Sequence, residues 1–416
     1  MILMSSSPLL NVNVASLSSG SRRLVASPSH WPRHSLRAVL HYYYAMTTTT
    51  SLAQVRRSSS TTSSSSPKPG KPSKTLARPK PSSSVLLISP RNEILLLHRV
   101  HNSNSFASAH VFPGGNVSAV QDQDQDGGGA DLPPPEDIRV HFDATPYRRA
   151  AIRELFEESG ILLAQDRVTG RPVHVPVAER ERGRRAVHNN EVRFVDWVRR
   201  FGEEVVPDTD SLVPFTHWIT PPNLPKRFTT QMYLYFLPLG EENNGESQRQ
   251  GVGLPPGGQR EEIQIPTDDG GVEIAEAQFL PASAWLHKAR QGEIMLYPPQ
   301  FFLLHLVSQF LDTENAVISN NTPTAAERQR RRDELLAFVR SGNPPWTDRY
   351  ICPRSIKMLD DKRVVLALDH PGPELAGSDK QGDRERVILV RFLKDGPREV
   401  EVRWRREFQG SPTASL

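Results

Sequence analysis

A chain of 416 residues has room for two or three domains. Its net charge of +4 is unevenly spread: the twelve Lys and Arg of residues 1–92 meet no Asp or Glu, so residues 93–416 sum to −8 (4 − 12). An acidic body argues against binding nucleic acid through its phosphates, the single cysteine, Cys352, excludes an internal disulfide and a cysteine-built zinc site, and no apolar run approaches the roughly 18 residues that span a bilayer.

The leader is rich in Arg and Ser and mixes Arg with Leu, Val and Tyr over "SRRLVASPSHWPRHSLRAVLHYYYAM". That composition is the one a mitochondrial transit peptide needs, so a mitochondrial location is expected, with a peroxisomal or cytoplasmic one as the alternative. Residues 58–84 are Ser- and Pro-rich, with too few apolar groups to form a core, and read as a linker. We therefore expect a disordered leader over 1–83, a folded domain over 84–312 with insertions near 120–142 and 240–262, and a C-terminal helix and β appendage over 313–416.

Order is expected to begin at "SSVLLISPRNEILLLHRV", where Val85–Ile88 and Ile94–Leu97 flank Pro90-Arg91-Asn92 as a hairpin. "HVFPGG" reads as a strand running into a glycine turn. A Gly- and Pro-rich insertion follows, and then "DATPYRRAAIRELFEESGILL", the strongest helix signal in the chain. Pro146 suits its first turn, Asp143 or Thr145 its N-cap, and Gly160 its C-terminal stop. A second helix is expected over 194–205. Strands are expected in "LVPFTHWITP" and "TQMYLYFLPL", and a strand and helix in "GVEIAEAQFLPASAWLHKARQGEIML". Two helices follow, "PPQFFLLHLVSQFLD" and "AAERQRRRDELLAFVRS", and then strands in "VVLALDH", "RVILVRFL" and "EVEVRWRREF". The basic runs "RGRR" (182–185) and "RQRRR" (328–332) read as solvated faces, His110 as structural, and Cys352 as a small buried residue.

The chemistry concentrates in the first helix. Glu154, Glu157 and Glu158 stand at i, i+3 and i+4, so they share one face and repel one another. A divalent cation would remove that cost, and hard cations prefer carboxylate oxygens. A wet, Glu-rich helix end is the plainer reading of the cluster by itself.

"FPGG" (112–115) followed by "RELFEESGI" (153–161) resembles the box of the Nudix hydrolase family: Gly, five residues, Glu, seven residues, Arg-Glu, apolar, any, Glu-Glu, any, Gly, apolar. The second half matches in full. The first half is split, because Gly115 precedes Arg153 by 38 residues (153 − 115), 24 more than the family's 14, and Gln121 stands where the mid-box Glu is expected. The split is similar to that of the acyl-CoA diphosphatase branch of mitochondria and peroxisomes, as are "LLLHRVHNSNSFASAHVFPGG", "WITPPNLPKRFTTQMYLYFLP" and "PASAWLHKARQGEIMLYPPQ", so the resemblance covers about residues 84–310. In the coenzyme A signature upstream of the turn, Arg99 fits, while Asn104 and Ser108 replace a second Arg and a Gly.

The resemblance implies an α/β fold, the Nudix α/β/α sandwich with a mixed sheet, carrying long insertions and a small C-terminal α+β appendage. It implies metal-dependent hydrolysis of a diphosphate linkage with Mg²⁺ or Mn²⁺. Glu157 and Glu158 would bind the metal, with Glu154 a further ligand or the group orienting the attacking water. The Gly114 carbonyl would face the ion, Gly115 would lie beside the substrate, and Arg153 would hold a Glu in place. Glu273 is the candidate for a later catalytic Glu, with Glu276 its rival and Glu261 or Glu262 behind. Arg99, Lys226 and Arg227 would contact the substrate. That substrate would be a small molecule linked to a nucleoside diphosphate, coenzyme A or acyl-CoA first, and ADP-ribose, NADH or a nucleotide sugar second. A catalytically weak nucleotide-binding domain is the reading from another class.

Overall fold

The computed structural model describes residues 77–100, 108–123, 141–239, 266, 274–312 and 323–408. Residues 1–76 of the leader, most of both insertions, Asn104, Glu261, Glu262 and Glu273 lie outside the described residues. Order begins earlier than the expected residue 84, since Lys80–Ile88 form the first strand.

In chain order the first elements are β1 (Lys80–Ile88), β2 (Ile94–Arg99), β3 (His110–Val111), β4 (Gly114–Asn116), α1 (Thr145–Ser159), β5 (Ala164–Asp166), α2 (Val177–His188), α3 (Phe194–Arg199) and β6 (Val205–Pro207). β7 (Val213–Ile219), β8 (Phe228–Phe236), β9 (Ile274–Leu280), α4 (Ala282–Arg290), α5 (Pro298–Leu311) and α6 (Ala325–Val339) follow. The chain then runs through β10 (Tyr350–Ile351), β11 (Arg354–Met358), β12 (Val364–Leu368), β13 (Asp383–Leu393) and β14 (Gly396–Trp404).

The main sheet runs β10-β7-β8-β1-β2-β3, with β4 on β1 and β9 on β2. It is mixed: β1 lies parallel to β8 and β10 to β7, while β1–β2, β2–β9 and β7–β8 are antiparallel. β1 is central and apolar on both faces. Its side chains alternate, so Val85 and Leu87 enter one core with Ile152, Leu155 and Phe156 of α1, and Leu86 and Ile88 enter another with Phe301, Phe302 and Leu306 of α5. One sheet thus separates two helical layers, the α/β sandwich that a doubly apolar strand requires.

The expected hairpin is present, and Asn92 closes its turn at φ 62°. The turn is fastened by Arg332, whose Nε donates to Asn92 Oδ1 at 2.8 Å and Nη2 to the Ser89 carbonyl at 2.7 Å. "RQRRR" is therefore not a uniformly solvated run, since its last Arg is 4 % exposed. α1 ends at Gly160 in the left-handed conformation, φ 71°, as the glycine implies. Its N-cap is Ala144 with no side-chain cap. The Asp143 carboxylate instead takes Arg148 at 2.8 and 2.7 Å and the Tyr233 hydroxyl at 2.8 Å, and charge-assisted bonds of this kind outcompete a cap.

The helix expected over 194–205 stops at Arg199; residues 200–204 turn, and Val205 opens β6. The 313–416 segment, expected as an appendage, takes part in the core on the α5 side of the main sheet. β10 extends the main sheet beside β7, α6 contributes Leu335 and Val339, and the antiparallel sheet β11-β12-β13-β14 contributes Leu366, Leu368, Ile388 and Val390 to the core that surrounds α5. Among the described residues no helix is long and apolar enough to cross a membrane.

Candidate active site

The glycine turn sits on the edge of β1. Ser84 pairs with Gly114 and Ser83 with Gly115, and the Ser84 hydroxyl donates to the Pro113 carbonyl at 2.8 Å. α1 packs on the same part of the sheet, so its last two turns face the glycine turn although the chain between them is long. Gly114 N donates to Glu158 Oε2 at 2.9 Å, and Arg99 Nη1 from β2 lies 3.3 Å from Glu158 Oε1. A Cβ on Gly115 would fall inside the Glu154 carboxylate, and one on Gly114 inside the Ser83–Ser84 backbone. The two glycines are required by close approach, which lets the turn lie flat against the helix.

Arg153 organises the carboxylates. Its guanidinium is 4 % exposed and fully engaged. Nη1 donates to Glu154 Oε1 at 2.9 Å and to Glu157 Oε1 at 2.8 Å, Nε and Nη2 grip the two oxygens of Asp122 at 2.8 and 2.9 Å, and Nη2 also reaches the Asn116 carbonyl at 3.0 Å. Burial works against its charge, but Glu154, Asp122 and Glu157 outweigh burial and hold it more firmly protonated than a free arginine. Glu157 is also held from α2, since its backbone carbonyl accepts from Arg184 Nε at 2.6 Å and its Oε2 lies 3.3 Å from His188 Nδ1.

Asp122 answers the question raised by Gln121. Gln121 turns away from the carboxylates: its Nε2 donates to Asn190 Oδ1 at 3.0 Å and to the Val192 carbonyl at 3.4 Å, and its Oε1 accepts from Phe194 N at 2.9 Å. It fastens the loop between α2 and α3. The next residue, Asp122, is fully buried and meets Arg153 through two parallel bonds. The split box is thus reassembled in space, with Arg153–Asp122 and Glu158–Gly114 joining its halves across the insertion.

The site is short of positive charge. Burial, with Glu157 and Asp122 adding to it, pushes the Glu154 carboxyl up to about 7 despite the adjacent Arg153. Hard oxygen donors with excess negative charge suit a divalent cation. Arg153 Nη1 occupies the point where Glu154 and Glu157 meet, and among the described residues no three acidic, imidazole or thiol groups already converge on one position. The donor chemistry and charge fit the ion, which would compete with Arg153 and Arg99 for the same oxygens.

The other half of this picture comes from known proteins. The family described as NUDT19 Nudix domain matches residues 134–252, which include α1 and its three glutamates. Over these residues the chain is similar to the Nudix family. It is 29 % identical over 259 residues to the Gallus gallus protein named acyl-coenzyme A diphosphatase NUDT19, a match covering 52 % of this chain and 61 % of that one. The chain thus spans about three fifths of the length of this curated relative. A Nudix hydrolase from Alicyclobacillus acidocaldarius superposes with a TM-score of 0.41 at 19 % identity, covering 60 % of this chain and 100 % of its own. A MutT protein from Methanosarcina mazei Go1 does so with a TM-score of 0.27 at 14 % identity, covering 58 % and 99 %.

The structure does not bring every expected residue to the Nudix helix. Arg227 was expected on phosphates, but its side chain is wholly buried. It donates to the Thr220 carbonyl at 3.0 Å and the Ala77 carbonyl at 2.8 Å, and it pairs with Glu374. These contacts tie β8 to the C-terminal segment, and burial keeps the guanidinium from solvent. Lys226 beside it is exposed. Glu276, the rival to Glu273, stands opposite His98 on β9. His98 stacks on His110, and His110 packs on Trp285, so this row lies on the sheet face opposite α1. His110 itself is structural in character: burial, with His98 and Lys288 adding to it, pushes the ring down to about 4 and keeps it neutral. Ser108 has φ 58°, so the backbone at that position holds the left-handed turn that a glycine there would favour. Asp122, Arg184 and His188 were missed by the sequence reading. Asp122 could have been found by allowing the mid-box acid to shift by one residue, whereas Arg184 and His188 carried no local signal.

Proposed function

We propose that this protein hydrolyses the diphosphate linkage of coenzyme A or acyl-CoA, with Mg²⁺ or Mn²⁺ as the required ion and an adenosine bisphosphate and a phosphopantetheine species as products. The observation that carries the reading is the meeting of Glu154 and Glu157 on one nitrogen of a buried arginine, beside a glycine turn that holds Glu158. The similarity to a protein named acyl-coenzyme A diphosphatase supports the choice of substrate.

Glu157, Glu158 and Glu154 would hold the ion, with the Gly114 carbonyl beside them. A divalent cation bound there supplies neutralisation of the phosphate oxygens and acidifies water. Arg153 sets the spacing of Glu154 and Glu157 and is itself set by Asp122. Glu154 would act either as a further ligand or, left free of the ion, as the group that orients the attacking water and takes its proton. Water oxygen bonds to phosphorus, the bridging P–O bond breaks, and the leaving phosphate takes the electron pair. The Gly115 backbone would lie against the diphosphate, and Arg99 would turn from Glu158 toward the substrate's phosphates. Glu273 is a further candidate base, on a segment outside the described residues.

Full-length protein is expected to turn over coenzyme A and acyl-CoAs with Mg²⁺ or Mn²⁺ and to lose that activity in EDTA. Turnover of ADP-ribose, NADH or a nucleotide sugar in place of coenzyme A would overturn the substrate, a result that Ser108 and Asn104 at the coenzyme A signature make worth testing. No turnover of any of these by the wild type would overturn the enzyme reading. We also propose that residues 1–83 direct the protein to mitochondria. A reporter fused to these residues is expected to enter that organelle, and a cytosolic or peroxisomal signal would refute it.

A further inference from the structure

Away from the Nudix helix, the C-terminal segment encloses a cavity of about 330 Å³ between the end of α6 and the start of β13, lined by Ser341, Trp346, Arg349, Asp383, Arg384 and Arg386 among others. We propose that this cavity binds a phosphate-type oxyanion carried by a small molecule.

Two guanidinium groups are built into its wall. Arg349 is 9 % exposed; its Nη1 donates to Asp383 Oδ1 at 3.2 Å and its Nε to the Pro344 carbonyl at 3.2 Å. Arg386 Nη1 donates to Asp383 Oδ2 at 3.2 Å and to Glu385 Oε2 at 3.4 Å. Asp383 is 0 % exposed, so one buried carboxylate holds two arginines in fixed positions. Trp346 completes the support, with Arg349 lying 4.0 Å and Arg386 5.7 Å from its ring centroid.

The donors left over point to the ligand. Among the described residues, Nη2 of Arg349 and both Nε and Nη2 of Arg386 have no hydrogen-bond acceptor. A Cβ on Gly342 would lie 2.9 Å from Arg349 Nη2, so the glycine keeps that nitrogen uncrowded. Arg349, Arg384 and Arg386 against Asp383 and Glu385 leave one net positive charge at the cavity (3 − 2). Pre-set planar forks with spare N–H groups match the oxygens of a phosphate, and the fixed geometry spares the ordering cost of binding. The volume is at the small end of ligand pockets, which run from about 300 Å³ upward, and suits a ligand no larger than a nucleoside monophosphate.

The test is calorimetric titration of the full-length protein, in metal-free and phosphate-free buffer, with inorganic phosphate and with AMP, and with acetate as the carboxylate arm. Saturable phosphate or AMP binding is expected, weakened at least about tenfold by Arg386→Gln and by Arg384→Glu. Glu157→Gln is expected to leave that binding unchanged, which separates this cavity from the Nudix site. Arg384 is exposed, so Arg384→Glu reports on charge at the cavity even if Arg386→Gln fails to fold. Equal binding by the wild type and Arg384→Glu would overturn the proposal. So would no saturable heat up to about 10 mM, a range in which affinity is already only a few kcal/mol, or acetate binding more tightly than phosphate.

Discussion

Glu157→Gln is expected to lower kcat on the proposed coenzyme A substrate by at least about 10³-fold, the equivalent of ~4 kcal/mol of transition-state stabilisation. The amide keeps an oxygen for Arg153 Nη1, now 2.8 Å from Glu157 Oε1, so the helix and its contacts with α2 should persist. What disappears is one negative charge from the site proposed to hold a cation. The variant should therefore unfold at nearly the wild-type temperature in EDTA and lack the rise in Tm that Mn²⁺ or Mg²⁺ is expected to give the wild type. Glu154→Gln should also abolish turnover, while retaining part of the metal-dependent rise. A kcat within tenfold of wild type for Glu157→Gln would remove this residue from the chemistry. Loss of the fold in EDTA would instead show that Glu157 acts mainly as a structural partner of Arg153.

The second large effect is expected at Asp122. Asp122→Ala leaves Arg153 buried without its bidentate partner, and breaking a buried pair from one side costs about 3–5 kcal/mol. Glu154 and Glu157 remain on Nη1 and lower that cost without removing it. Because Arg153 sets where those two carboxylates lie, activity should fall as well, by at least about tenfold for a displacement on the order of 1 Å. Asp122→Asn, which keeps one acceptor, should fall between. Gln121→Glu, which restores the residue expected by the box, should gain nothing. It would set a carboxylate against the Val187 and Val192 carbonyls that now accept from Gln121 Nε2 at 3.5 and 3.4 Å. Chemical denaturation and kcat/KM on the same preparations would decide this. An Asp122→Ala protein within about 1 kcal/mol of wild type, or a Gln121→Glu protein more active than wild type, would show that Arg153 is organised by other contacts.

Local patterns were readable where one segment carries its whole signal. The strand pair around Asn92, the stop of α1 at Gly160 and the proline-initiated α5 depend on turn chemistry and apolar spacing within a dozen residues, and each appears as expected. α2 was not readable, for an identifiable reason. Its buried stripe is Arg180, Gly183, Arg184 and Val187, helical in spacing but with only one large apolar member. Gly183 is there because the Trp197 indole fills the place of its side chain, and Arg184 because a carbonyl of α1 accepts from it. Both partners are supplied by other elements, so the run looked like a wet basic patch. Arg332 was misread in the same way, and Arg227, expected on phosphates, for a related reason: Asn92 and Ser89 for the first, Ala77 and Glu374 for the second, are partners far off in sequence.

The sequence by itself determined which residues are candidates for the chemistry. Glu154, Glu157 and Glu158 share a helix face because of their spacing alone, and "FPGG" with "RELFEESGI" identified the turn and helix that belong together although 38 residues separate Gly115 from Arg153. Only the tertiary structure decided how the two halves meet. Spacing along a chain fixes neighbours over one or two helical turns, whereas a buried guanidinium chooses its partners from whatever the fold brings within hydrogen-bond reach. Arg153 found Asp122 rather than Gln121, Arg99 found Glu158, and Arg227 was drawn into the C-terminal segment instead of the substrate site.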